Sequence, residues 1–421
     1  MLSWISWLWG GEKRRAPGRR RAVRASYDAA QTTPENQRHW ANADALSATA
    51  AHSPAVRKRL RERARYEIAN NSYAKGIVLT LANSLIGPGP RLQVQTPDQA
   101  LNRAVEGAFS AWARAIRLPD QLRIMKQAKT VDGEAFAVKT TNPALPTAVK
   151  LDMALIEADQ VMSPDLAILD SRAIDGVRLD EWGNPSGYDV LRYHPGDVYR
   201  GSALEYDTLP AGRVLHWYRC DRPGQLRGVP ELTPALPLFA QLRRFTLATL
   251  TAAETAAMFA AMLETTASPD EEDSQGEPFE SLEIERGMMT TLPAGYRASQ
   301  LRAEHPTTTY EMFTRLILRE IARCLNVPWN VAAGDSSSYN YSSARLDHLN
   351  YWAAVDVERQ DCEREALDPL LADWLGEAAL LPGLLPMSVK AYLPWLPHTW
   401  HWPARQFIDP QVEAAADTER L

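Results

Sequence analysis

The stretch Thr233–Glu264, "TPALPLFAQLRRFTLATLTAAETAAMFAAMLE", decides how the chain is read. It has no glycine and is crowded with Ala and Leu, which lose little on entering a helix, so a helix of about 30 residues and about 45 Å is expected. That is long for a compact domain. Immediately after it, residues 270–285 hold eight acids and no base. A second helix is expected over Thr309–Val327, "TYEMFTRLILREIARCLNV", followed by the polar stretch Gly334–Arg345, "GDSSSYNYSSAR". A third long helix then carries "ARLDHLNYWAAVDVERQDCEREAL" up to Pro369. Long helices that one small domain cannot cover commonly bury against copies of themselves, so a homo-oligomer is expected.

Upstream, the pattern is mixed. Ser53 before Pro54 marks a helix start reaching about Asn70, because Ser accepts from free N–H groups and Pro is pre-set for the first turn. "SYAKGIVLTLANSLIG" reads as a helix ending at Gly87, and "PGPRLQVQT" turns into a short strand. Leu101, Val105, Phe109, Trp112 and Ile116 recur at helical spacing and predict a core-facing stripe. Residues 134–140 and 147–220 then read as strands and turns, with a Gly-Asn-Pro-Ser-Gly reversal at 183–187. Strands and helices in separate runs imply an α+β fold rather than alternating βαβ units.

The chain has 421 residues, 45% of them hydrophobic and 23% charged, which excludes disorder throughout. Its three cysteines, Cys220, Cys324 and Cys362, form neither a disulfide framework nor a metal-ligand spacing and suit a reducing compartment. "LSWISWLW" near the start precedes a basic run, the reverse order of a secretory signal, and reads as a short buried helix or a membrane-surface anchor. No stretch approaches the ~20 apolar residues of a membrane span. The net charge of −6 is unevenly placed, since residues 1–70 hold 14 Lys/Arg against 6 Asp/Glu. A basic arm on an acidic body suggests a phosphate-rich neighbour at one end. Within that arm, "RKRLRERAR" (Arg57–Arg65) reads on its own as the solvated face of a helix.

Several stretches invite a catalytic reading. A nucleophile among Ser336, Ser337, Ser338, Ser342 and Ser343 would need a base in reach and an exposing turn, and the loop has neither a glycine pair nor an adjacent His. Ser342 or Ser343 is expected instead to cap the following helix. Asp132, Glu134, Glu157, Asp159 and Asp165 could gather oxygen ligands for Mg2+, although Asp-Gly serves equally as a turn before a strand. His398 and His401 lack a third ligand nearby, and with Trp395, Trp400 and Trp402 they read as aromatic packing. No G-x-x-x-x-G-K-[ST] occurs, which excludes a motor with its own ATP loop at the level of motif.

"NADALSATAAHSPAVRKRLRERARYEIANNSYAKGIVLTLANSLIGPGPRLQ", "DGEAF", "GVRLDEWGNPSGYDV", "RPGQLRGVPELTPAL", "NYSSAR" and "FIDPQVEAAA" stand in an order that resembles the lambda family of tailed-phage portal proteins. The resemblance runs from about residue 26 to 418, and "RPGQLRGVP" and "NYSSAR" are its most specific parts. It implies a dodecameric ring at one capsid vertex, in the virion and assembled in the host cytoplasm, through which a terminase drives double-stranded DNA. Partners implied are the large terminase, a head–tail adaptor, the major capsid protein or scaffold, and DNA held weakly. No cofactor, metal, membrane or catalytic residue is implied.

Laid on this chain, the family's regions become a basic arm over 1–50, a wing over 51–230 and a stem helix over 231–265. A clip takes 266–306, with Asp270, Glu271, Glu272, Asp273 and Glu277 as docking acids. The second stem helix takes 307–328, a tunnel loop and helix 329–375, and a crown-side region 376–421. Family members usually continue well past "FIDP", which leaves a reduced crown, a compact phage, a remnant prophage and a truncated chain as readings. A conduit should bind DNA weakly, and hydroxyls and amides offer phosphates short-lived hydrogen bonds without ion pairing. Ser336, Ser337, Ser338, Asn340 and Tyr341 are therefore expected at the channel, with Arg345 and His348 as occasional phosphate contacts. The alternatives are a phage-associated nuclease or protease, and a head protein without a channel.

Overall fold

The computed structural model describes residues 32–163, 172–197, 205–258, 262–265, 296–299, 307–337, 340–405 and 418. The chain divides into two compact units, Met1–Ser47 and Ala48–Leu421. The described part of the first unit is turns, in which the Thr33 and Asn36 side chains each accept from the other's backbone N–H.

The second unit opens with α1 (Ala48–Ala51), α2 (Pro54–Asn70) and α3 (Ser72–Ile86). Pro54 occupies the first turn of α2 as read from the sequence, but the Ser53 hydroxyl makes no capping bond there. Asn71 does cap α3, accepting from the Tyr73 and Ala74 N–H groups. Gly87 ends α3 at φ +53°, a conformation that favours glycine. Strand β1 (Arg91–Val94) leads to α4 (Gln99–Ala115) and α5 (Leu118–Asp132). Leu101, Val105, Phe109, Trp112 and Ile116 are all buried, as their spacing predicts. Phe109 touches Trp112, Trp374 and Trp400 at ring-centroid distances of 5.2, 5.2 and 5.6 Å. Such pairs contribute about 0.5–1.5 kcal/mol each beyond area burial.

Next come β2 (Glu134–Thr141), β3 (Leu151–Ile156), β4 (Ala173–Ile174), β5 (Val177–Leu179), β6 (Pro185–Leu191), β7 (Tyr206–Pro210) and β8 (Val214–Tyr218). They form two antiparallel sheets, ordered β3-β2-β8 and β4-β5-β6-β7. Every described strand pair is antiparallel, so the expected α+β class holds at the level of separate helices and small sheets. The Trp112 indole N–H donates to the Leu151 carbonyl at 2.8 Å, fastening α4 to β3.

A 3₁₀ turn at Thr233–Ala235 starts α6 (Leu236–Met258). The helix expected to reach Glu264 gives way earlier, because Met262–Thr265 is strand β9, paired with β10 (Tyr296–Ser299). Met, Leu and Glu favour a helix locally, but cross-strand hydrogen bonding to a segment 30 residues away outweighs so small a propensity. Helix α7 (Thr307–Cys324) returns beside α6, with Phe245 against Tyr310 and Phe313 at 5.5 and 4.3 Å.

Helix α8 (Trp329–Ala333) precedes α9 (Tyr341–Cys362), a π turn over Glu363–Leu367, and α10 (Asp368–Ala378). The helical path thus passes Pro369, where the sequence suggests an end. Proline cannot donate back and its ring crowds the carbonyl four residues earlier, and the wider π turn relieves both. Strand β11 (His398–His401) then pairs antiparallel with β1, Leu92 opposite Trp400.

Candidate functional site

Gly334 stops α8 at φ +66°, and the chain leaves as a hydroxyl-rich loop. Asp335 accepts from the Ser337 N–H at 2.8 Å, and Ser336 and Ser337 are exposed. Ser338 lies outside the described residues. Asn340, not a serine, caps α9: its side chain accepts from the Ser343 N–H at 2.9 Å. Ser343 donates its own hydroxyl proton back to the Asn340 carbonyl. Tyr341 is the first residue of α9, and Arg345 lies half-buried one turn on. His348 stands a further turn along, where its Nε2 meets the Asn330 amide at 3.1 Å. That amide also reaches Ser336 Oγ at 3.5 Å, so Asn330 ties the loop to α9. Among the described residues His348 is engaged with the Asn330 amide and not with a loop serine. The docking acids Asp270, Glu271, Glu272, Asp273 and Glu277, and Asp165, lie outside the described residues.

Between α2 and the antiparallel sheets, buried charges are tied by ion pairs. Arg57 and Arg61, expected on a solvated face, are 2% and 6% exposed. Spaced four apart, Arg57, Arg61 and Arg65 project from one side of α2. Arg57 pairs with Glu134 and Asp175, Arg61 with Asp159, and Arg65 with Asp132, Glu157 and Asp159. The exposed side of α2 keeps Lys58, Arg59 and Arg63.

Glu134 is the hub. Arg227 donates to it through Nε at 2.8 Å and Nη2 at 2.7 Å, His216 meets it at 3.1 Å, and the Gly228 N–H at 3.0 Å. Burial would raise its carboxyl pKa, but Arg227 and the His216 hydrogen bond hold it well below the usual range. Burial, with Arg227 adding, brings the Arg57 guanidinium down to about 9. Burial likewise lowers His216, against the pull of Glu134. The carboxylate that the sequence offered as a metal ligand is therefore saturated by two guanidiniums, a histidine and an amide.

A second knot joins α5 to the root of α6 and to α9. Lys126 Nζ lies 3.1 Å from Glu231 and 2.8 Å from Glu358, and Lys129 bridges the same two carboxylates. Thr130 donates to Glu231 as well, at 3.1 Å. Burial opposes ionisation of Glu231, yet Lys126 and Lys129 keep its carboxyl low.

Glu157, Asp159 and His194 bring ligand atoms within 4.8 Å of one another. Arg65 already lies 3.0 Å from Glu157 and 2.8 Å from Asp159, so a guanidinium supplies the positive charge there. His398 and Trp400 both donate to Asp368, at 3.1 and 2.7 Å, and His401 is exposed on the strand; the aromatic-packing reading of "HTWH" agrees with this arrangement. The three cysteines are free.

The sequence missed Lys126, Lys129, Arg227, Asn330 and Glu358. Arg227 and Glu134 do sit in "RPGQLRGVP" and "DGEAF", the stretches that carry the resemblance, but nothing local says that they meet.

Residues 34–359 match the family described as phage portal protein, lambda family. A probable portal protein of Halomonas phage phiHAP-1 is 27% identical over 395 residues, covering 85% of this chain and 73% of that protein. Among solved structures, the chain is similar to the neck of an empty GTA particle, with TM-score 0.48, 14% identity and coverage of 85% of this chain and 88% of the other. It is likewise similar to the neck of a native GTA particle refined with C12 symmetry, with TM-score 0.48, 14% identity and 87% and 89% coverage. The family match decides for a structural particle protein over a nuclease or protease, and the chain belongs to the lambda family of phage portal proteins.

Proposed function

We propose that copies of this chain close into a ring at one capsid vertex, twelve in number as the family resemblance implies, and that the ring passes double-stranded DNA during packaging and ejection. The observation that carries the reading is apolar surface on the long helices. Leu247 and Leu250 on α6, Met312 and Leu316 on α7, and Leu346, Leu349 and Val357 on α9 are each more than half exposed. Large apolar side chains left facing water on three helices suit contact with a neighbouring copy. A heterologous contact repeated by rotation closes a ring.

In this reading residues 51–230 form the wing, α6 and α7 the stem, and the acidic segment 266–306 the clip. The clip's Asp270, Glu271, Glu272, Asp273 and Glu277 would meet the terminase and adaptor, while other faces meet capsid protein or scaffold. Residues 376–421 stand on the crown side. The channel rim is Ser336, Ser337, Ser338, Asn340 and Tyr341, with Arg345 and His348 behind it. Hydroxyls and amides there let phosphates slide, because each neutralised phosphate would add affinity that a conduit has to shed. Electron microscopy of the assembled full chain tests the proposal: rings with a central hole wide enough for duplex DNA are expected, and a monomer or a solid disc would overturn it.

A further inference from the structure

We propose that Lys126 and Lys129 are positioning residues for α9, forming a shared lock that fixes its C-terminal half, while its N-terminal half, tied through His348 to Asn330, follows α8 and the polar loop. The two lysines project from successive turns of α5 and are 1% and 2% exposed. Each contacts the same two carboxylates, Glu231 just before α6 and Glu358 on α9. Two cations and two anions cancel inside a site that water barely reaches. The carboxylates are unequal, however: the Glu231 side chain is 7% exposed and that of Glu358 is 27% exposed. Glu358 is therefore the partner that can be withdrawn. Withdrawing it leaves two buried ammonium groups facing one carboxylate, an uncompensated charge in a poorly solvated place.

The rest of α9 divides at the same level. Tyr351, Val355, Arg359 and Cys362 are buried. The Arg359 Nε donates to the Leu85 carbonyl at 3.2 Å, and its guanidinium lies 5.1 Å from the Trp402 ring centre. In the turns before Tyr351, by contrast, Ser342, Ser343, Leu346, Asp347, Leu349 and Asn350 are exposed. A force on the loop should bend α9 within residues 341–350, while residues 351–362 stay registered to α5 and to the stem root. The lock rests on α9 being the channel-side helix only for its purpose; its existence does not depend on that reading.

Hydrogen–deuterium exchange on the assembled full chain reads it directly. Glu358→Gln keeps the shape and removes the charge, and amides of residues 351–362 should then exchange about tenfold faster or more, with α5 and α6 unchanged. Lys126→Gln combined with Glu358→Gln restores charge balance, so its thermal midpoint should recover relative to the single variant while α9 stays fast. If the single variant does not fold, the balanced double carries the test alone. Unchanged exchange over 351–362, or an increase spread evenly over α5, α6 and α9, would overturn the lock. Rings without a hole would instead overturn the proposed function and leave the lock standing.

Discussion

A Cβ placed on Gly228 would lie 2.1 Å from the carbonyl oxygen of Gly133, so the backbones of these two residues are in contact 95 positions apart in sequence. Gly133 sits at φ +93°, and its own Cβ would meet the Val229 carbonyl carbon at 2.3 Å. Neither position has room for a side chain. This contact brings the Gly228 N–H to Glu134 and sets Arg227 beside it.

Replacing Gly228 by Ala should therefore force the loop off β2. Overpacking of a core costs about 1–3 kcal/mol, and backbone neighbours that cannot move put this case at or above the upper end. Urea unfolding of the full chain should show the midpoint fall; Gly212→Ala, where a Cβ would meet nothing within 4 Å, should leave it nearly in place.

Glu134→Gln should destabilise by about 3–5 kcal/mol, the cost of removing one partner from a buried ion pair. The pH dependence carries a sign. The folded carboxyl is held below the usual 4.5, so its contribution is present above 4.5 and is lost as pH falls through the folded value. The stability gap between wild type and variant should be full at pH 7 and should narrow below 4.5. A gap that widened on acidification would count against Glu134 being ionised.

Arg227→Lys keeps the charge and still fails. The planar fork reaches Glu134 through two nitrogens and also donates to the Val161 carbonyl at 2.9 Å, which one ammonium cannot reproduce. A loss of about 2 kcal/mol or more in denaturant unfolding is expected, charged hydrogen bonds being worth about 1.5–3 kcal/mol each.

Met312→Asp combined with Leu316→Asp puts two charges on the exposed side of α7 without touching its buried Ile317, Leu318 or Ile321. The subunit should keep its far-ultraviolet circular dichroism and lose the ring peak in size-exclusion chromatography.

Lysines at Ser336, Ser337 and Ser338 should assemble normally and stall packaging, because each added cation holds a phosphate that must be released for the next to pass. Packaging at the normal rate by such rings would remove the hydroxyl rim from the mechanism.

How much of this was legible in sequence depended on distance along the chain. The α4 stripe and the start of α2 rest on neighbours within a few residues, and both were readable. The burial of Arg57 and Arg61 was not, because an arginine at helical spacing looks the same whether Glu134 or water faces it. The cap of α9 was misplaced by two or three residues, since Asn340, Ser342 and Ser343 have the same chemistry and only the backbone decides among them. Met262–Thr265 went to a strand because its partner lies beyond the acidic segment. The loop at Gly334–Arg345 was legible as polar, while its tie through Asn330 to His348 depends on two elements meeting.

The pairing of β1 with β11 carries a consequence for how the protein is made. Arg91 and His401 are joined across 310 positions, and Leu92 lies opposite Trp400, whose ring closes on Phe109. During synthesis β1 leaves the ribosome with its edge open and waits until His398–His401 has been made before that edge is covered. Open strand edges recruit other chains. Non-local closure is also slow. Closing the β1 edge therefore has to await synthesis of β11, the last of the described strands.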